Sequence, residues 1–356
     1  MARIVIAPDS FKGSLPADLV AQAIAEGWRE VRPDDEVILL PMADGGEGTL
    51  DAIALAHPSA VWHHDTVTGP HGQPVEATWL MLPDSTAVLE IAQTSGLPLM
   101  ETLDPVGATT RGLGELIGFA LDAGAESLII GLGGSATTDA GLGALEGLGA
   151  VITRHPDRPG AVGVEAIDTT SMREIPPGII TLLTDTTVTL RDAPAVFGPQ
   201  KGASPEDVAV LTEAFDHLVA LTDDASAHLQ PGSGAAGGSA WGLMTHCGAT
   251  TQPGAAALAR LIGLPEVIST ADFVITGEGR FDETSLSGKV CGHVYGLAEA
   301  AGVAGAFVVG SSDDHVVPGW EVTTLVEDAQ STSEAMAQPE RYLRRVTGVL
   351  SQNFPD

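Results

Sequence analysis

Arg3-Ile4-Val5-Ile6-Ala7-Pro8-Asp9-Ser10-Phe11-Lys12-Gly13-Ser14 decides how the rest of the chain is read. Residues 3–7 form a short apolar run of the kind that makes a buried strand. The run then gives way to a carboxylate, two hydroxyls, an ammonium and a glycine, which is the chemistry of a turn. Helical periodicity follows over 15–31, with Leu19, Val20, Ala23, Ile24 and Trp28 on one face. A second strand is expected over 36–42, then the turn Ala43-Asp44-Gly45-Gly46-Glu47-Gly48-Thr49 and a helix over 48–56. The same alternation returns near residue 270. Strands are expected over 272–276, 305–309 and 322–326, with helices over 288–301 and 331–350. Ser331 and Glu334 have the spacing of a capping box. Strand and helix in alternation indicate an α/β fold built on a parallel sheet.

Between these ends the texture changes. Runs over 61–67, 74–82 and 87–92 lie close together with turn residues between them, as in antiparallel pairing. A helix over 109–123 leads to a strand over 127–132 and a glycine-rich segment over 131–149, expected to open a helix. Another strand is expected over 179–183. Ser204-Pro205-Glu206-Asp207 has the features of a helix start, and residues 231–238 are a Gly/Ala/Ser stretch expected to act as a hinge. The chain is therefore expected to form one α/β domain from residues 1–64 plus 260–356, interrupted by a second over 65–259.

The length of 356 residues suits two domains, and 44% hydrophobic with 18% charged residues describes a folded chain. Forty-seven acidic against sixteen basic residues give a formal charge of −31, which argues against a nucleic-acid partner. No apolar run reaches the ~20 residues of a membrane helix, and the opening Met1–Asp9 segment breaks too early for a signal peptide. A cytoplasmic location is expected. Cys247 and Cys291 are too few for a disulfide framework or a cysteine-based zinc site.

Thirteen of the basic residues are Arg and only three are Lys: Lys12, Lys201 and Lys289. Each has a glycine beside it. A compact ammonium next to a glycine turn suits a point contact to phosphate or carboxylate, which Arg's wider fork does not reproduce. In open parallel sheets ligands sit at the carboxyl ends of the strands. Three loops fall there: Asp9-Ser10-Phe11-Lys12-Gly13-Ser14, Ala43–Thr49 as quoted above, and Gly277-Glu278-Gly279-Arg280-Phe281-Asp282 running on to Ser285 and Lys289. Acids combined with a cation or bare glycines suit Mg²⁺ together with phosphate. For any one loop, a plain helix cap is the competing reading. In Gly131-Leu132-Gly133-Gly134-Ser135-Ala136-Thr137-Thr138-Asp139-Ala140-Gly141, backbone amides could cradle an anion, or the glycines could serve close packing. Asp185 closes a strand. Glu90 could orient Arg111 or be an ordinary pair.

Together these segments resemble the bacterial glycerate kinases of the first type. The likeness rests on residues 6–14 and 43–49, Gly133-Gly134-Ser135-Ala136-Thr137, Phe197-Gly198-Pro199-Gln200-Lys201-Gly202-Ala203, Gly234-Ala235-Ala236-Gly237-Gly238 and Gly277-Glu278-Gly279-Arg280. It runs in order from about residue 2 to about 345. The resemblance implies a Rossmann-like, flavodoxin-type domain from both chain ends, an inserted α/β domain, and an active site in the cleft. It also implies ATP with Mg²⁺ as phosphoryl donor and D-glycerate as acceptor, giving 2-phosphoglycerate. On that reading Lys12 and Lys289 neutralise phosphate or carboxylate, and the amides around Gly133, Gly134, Ser135 and Thr137 hold an anionic group. Asp44, Asp185 and Asp282 are candidate Mg²⁺ ligands or the base. Arg111 and Arg280 are candidates for the substrate carboxylate, with Asp9, Ser10, Lys201 and Glu278 as further binding candidates. Departures cluster after Asp185, where Thr186-Thr187-Val188-Thr189-Leu190 replaces the family's usual loop, and Thr138, Ala140 and Thr284 also differ. A Mg²⁺-dependent phosphatase and a non-catalytic sensor of small carboxylates use similar residues and remain as alternatives.

Overall fold

The computed structural model describes residues 1–222, 226–313 and 317–355. It divides into two compact units: Met1–Asp44, Asp51–Pro58 and Pro253–Asp356 form the first, and Gly45–Leu50 with Ser59–Gln252 the second. Against the expected limits after residues 64 and 259, the divisions fall six and seven residues earlier. The reason lies in pairing. The strand Val61–Thr68 is hydrogen-bonded along its whole length to Pro74–Met81 of the second unit. At the other limit, the helix Gly254–Leu261 packs on helices of the first unit.

The first unit holds five parallel strands: Arg3–Ile6, Glu36–Leu39, Phe273–Thr276, Ala304–Val309 and Glu321–Thr324. Numbered within the unit, their spatial order is 2-1-3-4-5. That is the doubly wound, flavodoxin-type order, and its direction reverses between the first and third strands. Ile4, Val5 and Ile6 are fully buried, as are Val274 and Ile275 opposite them. A parallel sheet covered on both faces selects such runs.

The helix Ala17–Val31 covers one face with Val20, Ile24 and Trp28, and packs along Pro339–Asn353. Trp28 stacks on Phe273 at 5.9 Å and donates its indole N–H to Asp35. The single helix expected over 331–350 is in fact two, Thr332–Ala337 and Pro339–Asn353. Pro339 has no N–H to continue the first and begins the second instead. Ser331 does cap, accepting from the Glu334 N–H. The Glu334 carboxylate accepts from Gln338 and Tyr342, so the box is not reciprocal.

The second unit is a six-stranded sheet in the order Thr250–Gln252, Ile180–Leu183, Ser127–Gly131, Thr86–Glu90, Pro74–Met81, Val61–Thr68. The first four are mutually parallel and the last two are added antiparallel. Its core gathers Trp79, Leu89, Leu113, Leu116, Ile130 and Trp241, among others. Two expectations are corrected here. The glycine-rich segment does not open a helix directly: it runs as turns to Gly141, and only the short helix Leu142–Gly147 follows. Residues 231–238 are not a hinge. They are mostly buried turns in which Ser233 accepts from the Leu190 N–H and Gly234 donates to the Val188 carbonyl.

Gly27 tests the helix packing. Alanine is the better helix former by about 1 kcal/mol, but a Cβ on Gly27 would overlap the backbone of Arg344, which cannot rotate away. The overlap should win. Gly27→Ala is expected to lower the unfolding free energy by about 2 kcal/mol, read from urea titrations. An increase would mean the two helices are loosely packed.

Candidate active site

The carboxyl ends of all five strands of the first unit open on one cavity of about 560 Å³. The turn after the first strand is built by Phe11, whose N–H donates to Leu15 and whose carbonyl accepts from Ser14 and Leu15. Gly13, at φ +77°, lets the chain reverse in that space. Lys12 stands at the tip with 76% of its side chain exposed, and its Nζ donates to Asp44 Oδ2 at 3.4 Å. Asp44 and the neighbouring carboxylates hold the Lys12 ammonium above its ordinary range, against partial burial.

Asp9 sits deeper, at 7% exposure. Its Oδ1 accepts from the Ser10 N–H at 2.7 Å. Burial, and then the charge of Asp44, pushes its carboxyl up to about 7, with Lys12 pulling the other way and Glu278 adding to the rise. Glu278 is raised as well, first by burial, with Ser285 and Lys289 opposing. One of its oxygens, Oε1, is buried without a hydrogen-bond partner. Asp282 behaves differently. It accepts from the Thr284 N–H and hydroxyl at 2.8 and 2.6 Å, and these bonds hold its carboxyl below the usual range. A carboxylate so occupied is a weak proton acceptor. Asp282 therefore acts as a cap on the short 3₁₀ turn Glu283–Leu286, and through Thr284, which accepts from Lys289 Nζ at 2.8 Å, it sets where that lysine reaches. Arg280 lies at the rim, paired with Asp313 at 3.0 Å.

The cavity is acidic on balance: Asp9, Asp44, Glu278, Asp282 and Asp313 face Lys12, Arg280 and Lys289. Such a lining favours a bound cation. Among the described residues no three His, Cys, Asp or Glu side chains are grouped to hold a metal by themselves. A hard divalent ion takes one or two carboxylates and completes its shell with water and phosphate oxygens. The orphaned Glu278 Oε1 and the crowded Asp9 supply oxygen donors of that kind.

The remaining candidates lie in the second unit. The Gly133 N–H donates to Gly45, that of Ala136 to Ser95 and that of Thr137 to Ser135 Oγ. The Ser135 and Thr137 hydroxyls bond each other at 2.9 Å and are buried. Of the expected cradle, the Gly133 and Thr137 amides are thus bonded within the protein. Gly131 and Gly133 also permit close contact: a Cβ on Gly133 would overlap Gly46, and one on Gly131 the Gly45 carbonyl. Lys201, only 2% exposed, donates to the Thr137 carbonyl at 2.6 Å. Burial pulls its ammonium down to about 7, with the Asp139 charge opposing. Asp139 is itself fully buried, accepting from Thr110, Gly141 and Gly143. Lys201 is therefore an internal brace of the glycine segment. Arg111 pairs with Glu115 at 3.0 Å, not with Glu90, whose carboxylate accepts from the Leu50 N–H at 2.9 Å. Asp185 is exposed, after the strand Ile180–Leu183. The two candidate metal ligands, Asp44 and Asp185, belong to different units.

The model of the glycerate kinase family matches residues 4–353. The chain belongs to the glycerate kinase family. It is 36% identical to the glycerate kinase of Bacillus subtilis (strain 168) over 371 residues, covering 96% of this chain and 95% of the relative. It is 41% identical to the glycerate 2-kinase of Escherichia coli (strain K12) over 305 residues, covering 81% and 80%. A crystal structure described as that of a glycerate kinase 2 from Salmonella typhimurium LT2 superposes with a TM-score of 0.80 at 34% identity, over 99% of this chain and 97% of that one. Members of the glycerate kinase family are phosphotransferases with an alcohol group as acceptor, and this chain is such an enzyme.

Several cavity residues escape a sequence reading. Gly310 and Ser311 follow the fourth strand and were open to the same strand-end rule. Leu325, Val326, Ala335 and Met336 form an apolar wall that carries no motif. Asp139 sits inside the quoted glycine segment, without a local sign of its burial.

Asp9 yields a pH test on the ligand-free protein. Its carboxyl titrates higher folded than unfolded, so the native state keeps the proton longer and stability falls as pH rises from about 4 to about 7. Asp9→Asn removes this loss. The variant should match the parent near pH 4 and exceed it at pH 8 by about 1–4 kcal/mol in urea titrations. A parent more stable than the variant at pH 8 would contradict the buried, crowded carboxylate.

Proposed function

We propose that the protein transfers the γ-phosphoryl group of ATP, as its Mg²⁺ complex, to a hydroxyl of D-glycerate, releasing ADP and 2-phosphoglycerate. One observation carries the reading: Lys12 and Lys289, two of only three lysines in the chain, line one cavity whose carboxylates outnumber its cations. Phosphoryl transfer needs placement and charge neutralisation more than covalent help from the protein. In the reaction the bond from the β,γ-bridging oxygen to the γ-phosphorus breaks, a glycerate oxygen bonds to that phosphorus, and the glycerate hydroxyl gives up its proton. Lys12 and Lys289 are the point charges that meet the phosphate oxygens. Mg²⁺, when bound, would supply positive charge to the phosphates, and Asp44, Asp9 and Glu278 would hold it from this unit. Asp44 and Asp185 are the candidates for receiving the hydroxyl proton. The printed names of the relatives support glycerate as acceptor.

The test is an ADP-release assay with Mg²⁺, ATP and D-glycerate, with ³¹P NMR reading the position of the phosphate. ADP release at the ATPase background would sink the assignment. Lys12→Met and Lys289→Met are each expected to lower kcat/KM by roughly two to three orders of magnitude. Stability should shift by less than ~0.5 kcal/mol for the exposed Lys12. Arg158→Met, on an exposed loop of the second unit, serves as the unaffected control.

A further inference from the structure

We propose that the cavity of the first unit is the nucleotide's site, with the base against the wall of Leu325, Val326, Ala335 and Met336 and the phosphates at Lys12 and Lys289. The inference rests on the reading that the phosphoryl donor is a nucleotide, and it assigns which ligand this cavity takes.

Size is the first argument. A cavity of about 560 Å³ is of the volume that encloses a drug-sized molecule. Glycerate, with three carbons, a carboxylate and two hydroxyls, would fill only a small part of it. The second argument is that the cavity has two chemistries. The loops after the first and third strands contribute charged groups. The other wall comes from the start of the helix that follows the fifth strand and from the helix Thr332–Ala337, and apart from Thr332 it is apolar. Leu325 and Ala335 are buried beneath it, while Met336 is 51% exposed. Glycerate has no apolar surface to place there. A nucleotide has a flat, weakly polar base at one end and phosphates at the other, matching both walls. Methionine suits a ring face, because its unbranched, polarizable side chain adapts to aromatic surfaces.

Third, the two walls are joined. Ser14, in the turn that carries Lys12, donates its hydroxyl to the Met336 carbonyl at 3.2 Å. The phosphate turn and the base wall are thereby held at a fixed spacing. Fourth, the acidic excess of the cavity is balanced by a ligand that arrives with a divalent cation, which an isolated hydroxy acid does not bring. The site also lies at the strand ends where the sheet order reverses, the position ligands take in doubly wound sheets.

Binding calorimetry on the full chain separates the possibilities, with Mg·ADP, inorganic tripolyphosphate with Mg²⁺, and D-glycerate as the three probes. Met336→Ser is expected to weaken Mg·ADP roughly tenfold, and the isosteric Val326→Thr several-fold. Tripolyphosphate, which lacks a base, and D-glycerate should bind both variants as they bind the parent. Unchanged Mg·ADP affinity in both variants would overturn the proposal. So would an equal weakening of tripolyphosphate, a loss confined to D-glycerate, or a parent that does not bind Mg·ADP. A parent that releases no ADP with D-glycerate yet shows the Met336-dependent Mg·ADP binding would refute the acceptor assignment and leave this site standing.

Discussion

Crowding of carboxylates at the strand ends of the first unit is the constraint on which the site depends. Asp9 is buried and lies within the fields of Asp44 and Glu278, and its carboxyl is displaced toward neutrality as a result. Nothing about a stable sheet requires this arrangement, since a polar uncharged residue at Asp9 could accept from Ser10 as well. Strongly perturbed groups gathered in a cavity mark a functional site because folding alone would select against them. The cations answer the crowding only in part. Lys12 meets Asp44 at 3.4 Å, and Arg280 is already paired with Asp313. The remaining negative charge favours a cation at the strand ends.

The second unit solves a different problem with similar residues. Its glycine segment has to pass close to the backbone of Gly45 and Gly46, and side chains there would collide. Close passage leaves backbone carbonyls that need donors away from water. Lys201 supplies one to Thr137 from inside the core, and Asp139 takes up the N–H groups of Thr110, Gly141 and Gly143. A buried ammonium and a buried carboxylate are costly, and each is met here by backbone groups, Lys201 by the Thr137 carbonyl and Asp139 by three N–H groups. One motif lysine is thus a brace, although its sequence context matches that of the two that line the cavity.

The fold was legible in the sequence where burial leaves a period. Residues 4–7 and 273–275 are continuous apolar runs because both faces of a parallel sheet are covered, and they fall on the observed strands Arg3–Ile6 and Phe273–Thr276. Strand-end loops could be read as sites because the geometry of the sheet fixes where they point. Legibility failed where a local pattern has two solutions. The run 322–326 continues in apolar residues, but the strand stops at Thr324 and Leu325 and Val326 belong to a helix, which makes them part of the cavity wall. The glycine segment reads equally as an anion loop or a packing contact, and its close approach to Gly45 and Gly46 is set by tertiary placement rather than by local pattern. Glu90 and Arg111 are both polar residues near helix starts, and their true partners, Leu50 and Glu115, are set by tertiary placement in one case and by i,i+4 spacing in the other.

The scarcity of lysine acquires a physical sense in this light. A chain with a formal charge of −31 has many carboxylates to neutralise, and its arginines do that work. Arg154 spans both oxygens of Glu146 at 2.6 and 3.0 Å, and Arg32, Arg173, Arg191 and Arg344 each hold an acidic partner. The planar fork suits a fixed carboxylate, and it would be a poor group to leave waiting for a ligand in an acidic cavity, because neighbouring carboxylates would claim it, as Asp313 claims Arg280. An ammonium on a flexible stem makes weaker, less directional contacts with such neighbours. At the tip of the Phe11–Leu15 turn it stays 76% exposed and meets Asp44 at 3.4 Å. The division between arginines that lock the surface and lysines at Lys12 and Lys289 that face the cavity follows from that difference in geometry.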